Sequence, residues 1–239
     1  MDTCRKSRLP WQYDELKINS VFDYSAAQQA AQYEERHGKV RDIADENRRI
    51  LDILERTLTS GLIGANILEI GTGTGAFART AAQERARVTA LDVSEAMLAV
   101  AKEKAMGISN IDFIHGGFLT GNFPESGFDA VVSSLALHHL PDVWKAEALA
   151  NIYRTLKPGG VFILVDVVFM CEGGEMAWYV PQMLGRVNDE GMLNGLTGHI
   201  ASEFSTLDWI MRGLIERAGM KIIQQENFSS VSEIYVAKK

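Results

Sequence analysis

Residues 67–77 read Ile-Leu-Glu-Ile-Gly-Thr-Gly-Thr-Gly-Ala-Phe, and this stretch decides the fold. The apolar run over 66–70 predicts a buried strand, and an alanine-rich helix is predicted from Ala76. The glycines between them let the backbone turn tightly and approach a ligand closely, because they carry no side chain. Ligands of open α/β sheets bind where the strands end. The stretch therefore predicts a ligand-binding loop between a strand and a helix.

Strand and helix patterns alternate on both sides of this loop. Alternation of this kind implies a parallel sheet with right-handed crossovers. The last two strands are joined by a short Ser-rich turn, so at least one of them must be antiparallel. The predicted fold class is α/β, a doubly wound and mostly parallel seven-stranded sheet with an antiparallel C-terminal hairpin strand. The predicted strands are 66–70, 87–91, 111–115, 128–134, 161–169, 220–226 and 232–237.

The regions outside this alternating core suggest a division into domains. Apolar residues from Ile43 to Leu58 lie on one face of an amphipathic helix, so residues 1–58 are predicted to form an N-terminal helical cap or lid. Residues 59–239 are predicted to form the main domain. Within it, residues 171–203 show no regular period, which favours an irregular insertion. Its mixture of apolar residues and glycines suits a mobile lid, although helix packing or a dimer contact would explain it equally well.

Composition excludes several classes of protein. The chain has 239 residues, 46% hydrophobic and 23% charged, which is the balance of a globular protein. The net charge of −7 argues against a nucleic-acid partner, and no apolar stretch approaches the roughly 20 residues of a membrane span. Cys4 and Cys171 have no metal-type spacing, so we expect no metal and a reduced, cytoplasmic setting.

The glycine loop by itself is compatible with two kinds of ligand. The spacing Gly71-x-Gly73-x-x-Ala76 also satisfies the loose dinucleotide fingerprint, and Asp92 stands 19 residues after Gly73, where a ribose-binding acid is expected. Glu69 favours a different ligand, because a carboxylate buried under the loop would repel phosphates and attract an ammonium group. Alternatively, the sole role of Glu69 is to accept hydrogen bonds from the backbone amides of the loop.

Several motifs in a fixed order carry a resemblance to a known family. The chain resembles the class I methyltransferases that use S-adenosylmethionine, in particular the small-molecule enzymes of the methyltransferase type 11 group. The resemblance is strongest over residues 60–170. The motifs that carry it are the Glu69-x-Gly71-x-Gly73-x-Gly75 loop, Asp92 and Met97 after the second strand, the fourth strand and its exit over 128–140, and the turn over 156–160.

The resemblance implies a Rossmann-like methyltransferase fold and S-adenosylmethionine as the cofactor, with S-adenosylhomocysteine as the product. The glycine loop would hold the methionine portion, Asp92 would accept hydrogen bonds from the ribose hydroxyls, and Val93 and Met97 would lie against the adenine. The alternative to this ribose-binding role is that Asp92 is an ordinary cap residue before a helix. The cofactor-binding residues expected from this resemblance are Glu69, Gly71, Thr72, Gly73, Gly75, Asp92, Val93, Met97, Gly117, Phe118, Ser133, Ser134 and Tyr33.

Two regions match the family less closely. The family often carries an acidic residue and an apolar residue after its third strand, where this chain has Gly116-Gly117-Phe118. Phe118 is still expected to pack on the adenine, whereas an acidic contact to the adenine amine is missing. In the N-terminal part, residues 21–23 and Tyr33 are similar to the family's signatures, so that Tyr33 would fold over the cofactor as a lid or else pack at the surface.

The activity implied by the resemblance is methyl transfer by in-line displacement, for which the protein has mainly to align the two reactants. His138 and His139 follow the fourth strand and are candidates for a base, but no catalytic residue is assigned. Ser133-Ser134-Leu135-Ala136 replaces the Pro-Pro motif of amino-directed nucleic-acid enzymes, so a small-molecule acceptor is expected, with no nucleic acid and no membrane. A homodimer stays open, and the alternatives are a non-catalytic or regulatory protein that binds S-adenosylmethionine and an NAD-dependent dehydrogenase.

Overall fold

The computed structural model describes residues 9–17, 26–38, 41–187 and 189–239. Cys4 and the motif at 21–23 lie outside the described residues, so what the sequence suggests about them stays a prediction. Within the described chain, the strands are β1 (Asn66–Ile70), β2 (Arg87–Asp92), β3 (Ile111–His115), β4 (Phe128–Ser134), β5 (Leu156–Asp166), β6 (Val168–Phe169), β7 (Thr206–Leu207), β8 (Lys221–Asn227) and β9 (Glu233–Lys238).

Helices cover both faces of the main sheet. Within the same described ranges they are α1 (Ala27–Ala31), α2 (Tyr33–Gly38), α3 (Ile43–Thr57), α4 (Ala76–Gln83), α5 (Glu95–Lys104), α6 (Asp142–Thr155), α7 (Met176–Leu184), α8 (Glu190–Ser202) and α9 (Asp208–Arg217). Helix α3 begins where the Asp42 side chain accepts a hydrogen bond from the Asp45 amide at 2.9 Å. Helix α5 begins in the same way at Ser94, whose hydroxyl accepts from the Met97 amide at 3.1 Å.

Among the described residues, seven strands pair in the order β3-β2-β1-β4-β5-β9-β8. Strands β1 to β5 are mutually parallel, whereas β9 runs antiparallel to both of its neighbours. Strands β6 and β7 form a separate short parallel pair. The predicted fold class is therefore confirmed, including the antiparallel strand near the C-terminus.

The core consists of one apolar layer on each face of this sheet. Ile67 of β1 belongs to the layer that α3 and α4 cover, and Leu68 belongs to the opposite layer, which α6 and α9 cover. Successive residues of β5 alternate between the layers in the same way, and Phe162 and Ile163 are both fully buried. Burial on both faces explains why the central strands are apolar at nearly every position.

Two regions differ from the sequence-based prediction. Strand β5 begins at Leu156 rather than at 161, because Leu156 already pairs with Phe128 of β4 before a register shift, and regular pairing resumes at Val161. The expected irregular insertion over 171–203 contains α7 and α8, which bury Met183 and Leu196 against Phe169. This burial depends on tertiary contacts, and the spacing of apolar residues along the segment does not predict it.

Helix α3 shares the apolar layer of β1, and the proposed domain boundary at residue 58 stays a prediction. Helix α9 has Leu207 at its N-cap and no side-chain cap hydrogen bond. The hydroxyl of Ser205, which precedes this helix, contacts His199 Nε2 at 2.6 Å. Among the described residues, no helix combines the length and the apolar character that crossing a membrane requires.

Candidate functional site

The site lies where the strand order reverses, between β1 and β4, at the carboxyl ends of the parallel strands. A cleft of about 820 Å³, open to solvent, is lined there by the exits of β1, β2, β3 and β4. The predicted site residues that line it are Tyr33, Gly71, Gly73, Asp92, Val93, Met97, Gly117, Phe118 and Ser134.

The glycine loop needs two of its glycines for different reasons. Gly71 has a φ of 81°, and a Cβ built on it would lie 2.3 Å from the Cβ of Ala136, so the exits of β1 and β4 are pressed together there. Gly73 has a φ of 54°, and no atom lies within 4 Å of a Cβ built on it. Gly71 therefore allows close packing, whereas Gly73 keeps the loop surface open.

Asp92 links the glycine loop to the end of β2. Its Oδ2 accepts a hydrogen bond from the Gly73 amide at 2.7 Å, and its Oδ1 accepts one from the Ser94 amide at 2.8 Å. Burial raises the pKa of the Asp92 carboxyl, and these amide donors oppose that rise by stabilising the charge. The carboxylate therefore lies in the cleft wall with both oxygens already oriented by the backbone.

Glu69 lies beneath the loop rather than in the lining of the cleft. Its Oε2 accepts a hydrogen bond from the Thr72 hydroxyl at 2.5 Å, and the Ala78 amide in the first turn of α4 also donates to it. Burial raises the pKa of Glu69 to about 8, with the charge of Asp92 adding to the rise and the Thr72 hydrogen bond opposing it. The contacts of Glu69 are thus those of a residue that fixes the loop.

Three further predicted residues also lie behind the lining. Thr72 is buried against Glu69, and Gly75 forms the N-cap of α4. The Ser133 hydroxyl donates to the Ile70 carbonyl at 3.0 Å and so joins β4 to β1. Leu135, two residues after Ser133, lines the cleft. Its φ is 54°, which is unusual for a residue other than glycine. Strained backbone of this kind clusters at functional sites.

A carboxylate from α2 attaches the N-terminal region to the loop. Glu34 Oε1 accepts hydrogen bonds from the Thr74 hydroxyl at 2.6 Å and from Arg79 at 3.1 Å, and its Oε2 lies 2.8 Å from Lys104 Nζ. This contact holds the neighbouring Tyr33 at the rim of the cleft.

Glu15 is a further residue of the cleft, and sequence reasoning missed it. Its Oε1 accepts hydrogen bonds from the Leu119 amide at 3.0 Å, the Thr120 amide at 2.7 Å and the Thr120 hydroxyl at 2.7 Å. A Cβ built on Gly117 would lie 2.6 Å from Glu15 Oε2. The glycine after β3 is therefore required by the carboxylate of Glu15, which is buried and lines the cleft. No local signal predicts this contact, because about 100 residues separate its partners.

The two histidines after β4 differ in their surroundings. His138 lies between two carboxylates, with Nδ1 2.5 Å from Asp166 Oδ1 and Nε2 3.2 Å from Glu203 Oε2. Burial by itself would lower the pKa of His138, but these two carboxylates outweigh it and raise the pKa to about 9. The His138 ring is thus fixed in place, and it is not a free base.

His139 stands at the cleft wall. Burial and the adjacent charge of His138 together lower the pKa of His139 to about 3, so the His139 ring is neutral at pH 7. Its Nδ1 lies 3.8 Å from Glu203 Oε2. Of the two candidate bases, only His139 lines the cleft, and its low pKa makes it a weak base.

Comparison with known proteins agrees with this geometry. Residues 67–160, less than half of the chain, match the family model described as a methyltransferase domain. The demethylmenaquinone methyltransferase of Listeria welshimeri is 36% identical over 108 residues, which cover 43% of this chain and 45% of that protein. An uncharacterized methyltransferase of Anoxybacillus flavithermus is 31% identical over 131 residues, 54% of this chain and 58% of that protein. The chain thus spans about half the length of the curated relatives it matches.

A solved structure extends the likeness to nearly the whole chain. A SAM-dependent methyltransferase from Aquifex aeolicus superposes with a TM-score of 0.61 at 18% identity, covering 91% of this chain and 98% of that one. At this identity the likeness shows the fold alone. Residues 67–160 thus match a methyltransferase domain, and nearly the whole chain has the fold of this solved structure.

The packing at Gly71 and the open space at Gly73 give a paired prediction. Gly71→Ala and Gly73→Ala both place a side chain at positive φ, which costs about 1 kcal/mol each. Gly71→Ala should lose a further ~1–3 kcal/mol of unfolding free energy, because its methyl group collides with Ala136. Urea unfolding of the two variants measures the difference. Equal losses in both variants would contradict the close contact of β1 with β4.

Proposed function

We propose that this protein binds S-adenosylmethionine in the cleft and transfers its methyl group to a small-molecule acceptor by in-line displacement. The observation that carries the proposal is that Asp92, Val93 and Met97 line one cleft together with Gly71 and Gly73. A carboxylate with two oriented oxygens suits a pair of ribose hydroxyls. A loop surface without side chains suits a close approach by the amino-acid portion of the donor.

In this proposal the predicted residues have two kinds of role. Tyr33, Gly73, Asp92, Val93, Met97, Phe118 and Ser134 contact the donor, and their common position in the cleft lining supports that role. Glu69, Thr72, Gly75 and Ser133 act indirectly, because their hydrogen bonds and packing fix the loop and the exit of β4. Glu69 also supplies a negative charge below the donor's ammonium group.

Glu15 takes over the acidic position that the segment after β3 lacks. Its carboxylate occupies the space that a side chain at position 117 would need, close to Val93. The Leu119 amide donates a hydrogen bond to Oε2 at 3.1 Å, and the backbone of Phe118 also contributes a hydrogen bond to the carboxylate. We propose that Oε2 accepts a hydrogen bond from the adenine amine.

The acceptor is proposed to be a small and largely apolar molecule. The end of the cleft near β4 is lined by Leu135, Ala136 and Leu140, with Tyr13 beside them. A relative named demethylmenaquinone methyltransferase acts on an acceptor of this type, which supports the proposal for this chain. The protein needs to align the acceptor with the donor's methyl group, since the sulfonium is already activated and alignment contributes up to ~7–11 kcal/mol in favourable cases.

Titration calorimetry with S-adenosylhomocysteine tests the proposal. The wild-type protein should bind it at one site, and Asp92→Ala should weaken binding by more than about tenfold, because each lost hydrogen bond to a charged group contributes ~1.5–3 kcal/mol. NAD should not bind. Asp112→Ala is a matched control, since Asp112 is an exposed carboxylate on β3 away from the cleft lining. Stabilisation by NAD but not by S-adenosylhomocysteine would favour a dehydrogenase.

Release of S-adenosylhomocysteine from S-adenosylmethionine, measured with a panel of quinones and phenols, distinguishes an enzyme from a protein that only binds the donor. Turnover above the background rate with one acceptor supports the proposed activity. Tight donor binding with no turnover on any acceptor would favour the regulatory alternative.

The raised pKa of Glu69 predicts that donor binding depends on pH. In the free protein the pKa is about 8, so most of the carboxyl is protonated at pH 7. The ammonium group of the ligand lowers this pKa, and binding therefore releases a proton. The affinity for S-adenosylhomocysteine should rise with pH between 6 and 8, by up to about tenfold per pH unit, and level off above the pKa of the free protein.

Glu69→Gln is the control for this dependence, because the amide keeps an acceptor for the Thr72 hydroxyl but does not titrate. Its affinity should be nearly flat over the same pH range. Calorimetry in buffers of different ionisation enthalpy counts the protons released. The same pH profile in the wild-type protein and the variant would show that Glu69 fixes the loop and does not interact with the ligand's ammonium group.

A change of base specificity tests Glu15. Glu15→Gln keeps the acceptor oxygen that the Leu119 and Thr120 amides need, but it presents an NH₂ group in place of Oε2. The variant should lose affinity for S-adenosylhomocysteine and gain affinity for S-inosylhomocysteine, whose base carries an oxygen in place of the amine. The ratio of the two dissociation constants should fall by about tenfold or more. An unchanged ratio would show that Glu15 does not contact the base.

A further inference from the structure

Three side chains with metal-ligating atoms lie close together after β4, and one of them, His139, lines the cleft. His138, His139 and Glu203 each offer one ligand atom, and these atoms all lie within 4.8 Å of one another. Glu203 Oε2 is 3.2 Å from His138 Nε2 and 3.8 Å from His139 Nδ1. Ligand atoms at Zn²⁺ bond lengths of ~2.0–2.1 Å in a tetrahedral arrangement are about 3.4 Å apart, which lies between these two values.

A second set of residues holds these side chains in position. His138 Nδ1 lies 2.5 Å from Asp166 Oδ1, so that Nε2 is the nitrogen directed at Glu203. His199 Nδ1 lies 2.6 Å from Glu203 Oε2, and its Nε2 is 2.6 Å from the Ser205 hydroxyl. A carboxylate on the outer nitrogen of a histidine is the usual support of a metal ligand, since it fixes the tautomer and the ring orientation.

Burial gives the cluster the character of a built site. The Glu203 side chain is only 5% exposed, that of His138 7% and that of Asp166 0%. Carboxylates this deeply buried require strong partners. The two adjacent histidines follow β4, and Glu203 is the residue just after α8. The site therefore joins the sheet to the 171–203 insertion.

We propose that His138, His139 and Glu203 bind a divalent transition metal ion, with Zn²⁺ as the best match. Two imidazoles and one carboxylate suit Zn²⁺ and its neighbours in the first transition series, and they do not suit Mg²⁺, which prefers oxygen ligands. Three protein ligands leave at least one coordination position for water or another ligand. His139 lines the cleft, so that the metal stands next to the proposed acceptor position.

His199 is a positioning residue in this proposal. It lies four residues before Glu203 and bonds the same carboxylate oxygen that faces the two ligand histidines. Binding of the ion displaces protons that the rings and carboxylates share in its absence. The spacing of the cysteines predicts no metal, whereas these ligands come from two segments about 60 residues apart in the chain.

Metal binding by the whole protein tests the proposal independently of methyl transfer. Protein treated with a chelator and desalted should take up one equivalent of Zn²⁺ in calorimetry, with a dissociation constant below about 1 μM. Co²⁺ should bind at the same site and give visible d–d absorption, and Mg²⁺ should not compete. Glu203→Gln and His139→Asn should each weaken Zn²⁺ binding by at least about a hundredfold, and His199→Asn by about ten- to a hundredfold.

His115→Asn is the matched control, because His115 contacts Glu95 and the Val93 carbonyl, away from the cluster. It should bind Zn²⁺ as the wild-type protein does. Circular dichroism identifies any variant that fails to fold, and His139→Asn at the cleft wall keeps the test valid if Glu203→Gln is such a variant. Failure to bind one equivalent, or equal binding by the wild-type protein and the folded ligand variants, would show that the cluster is a hydrogen-bonded network without a metal.

Discussion

Carboxylates buried where the parallel strands end are the constraint on which the rest of the structure depends. Glu69 and Asp92 are buried away from water at the ends of β1 and β2, and each requires hydrogen-bond donors there. The donors come from the glycine loop, through the Thr72 hydroxyl and the Gly73 amide. The loop, its conformation and the open cleft surface are therefore one unit, since the hydrogen bonds that these two carboxyl groups accept also shape the site.

The N-terminal region repeats this principle from outside the sheet. Glu34 accepts donors from the glycine loop and the helices beside it, and Glu15 accepts the amides of the segment after β3. Glu15 replaces water on backbone amides after β3, whereas Glu34 replaces it on the Thr74 hydroxyl and the Arg79 and Lys104 side chains. Both N-terminal segments must therefore be packed on the sheet for the cleft to be complete.

The wall near β4 has a different chemistry from the wall near β1 and β2. Close packing of Gly71 on Ala136 and the strained backbone at Leu135 turn the chain sharply after β4, and the two histidines follow directly. The wall near β1 and β2 offers carboxylates and backbone, whereas this wall offers apolar side chains and imidazoles. Under the proposed function, a charged donor and a neutral acceptor would meet between these two walls.

The sequence by itself determined the sheet, the glycine loop and Asp92, because alternating strand and helix patterns and a loop between neighbouring elements are local properties. Only the tertiary structure decided that Glu15 fills the space beside Gly117, that Glu203 meets the histidines after β4, and that Ser133 turns away from the cleft. These contacts join residues distant in the chain. Their physical origin is the need of each buried charge for a partner, and only packing decides which residue is near enough to supply it.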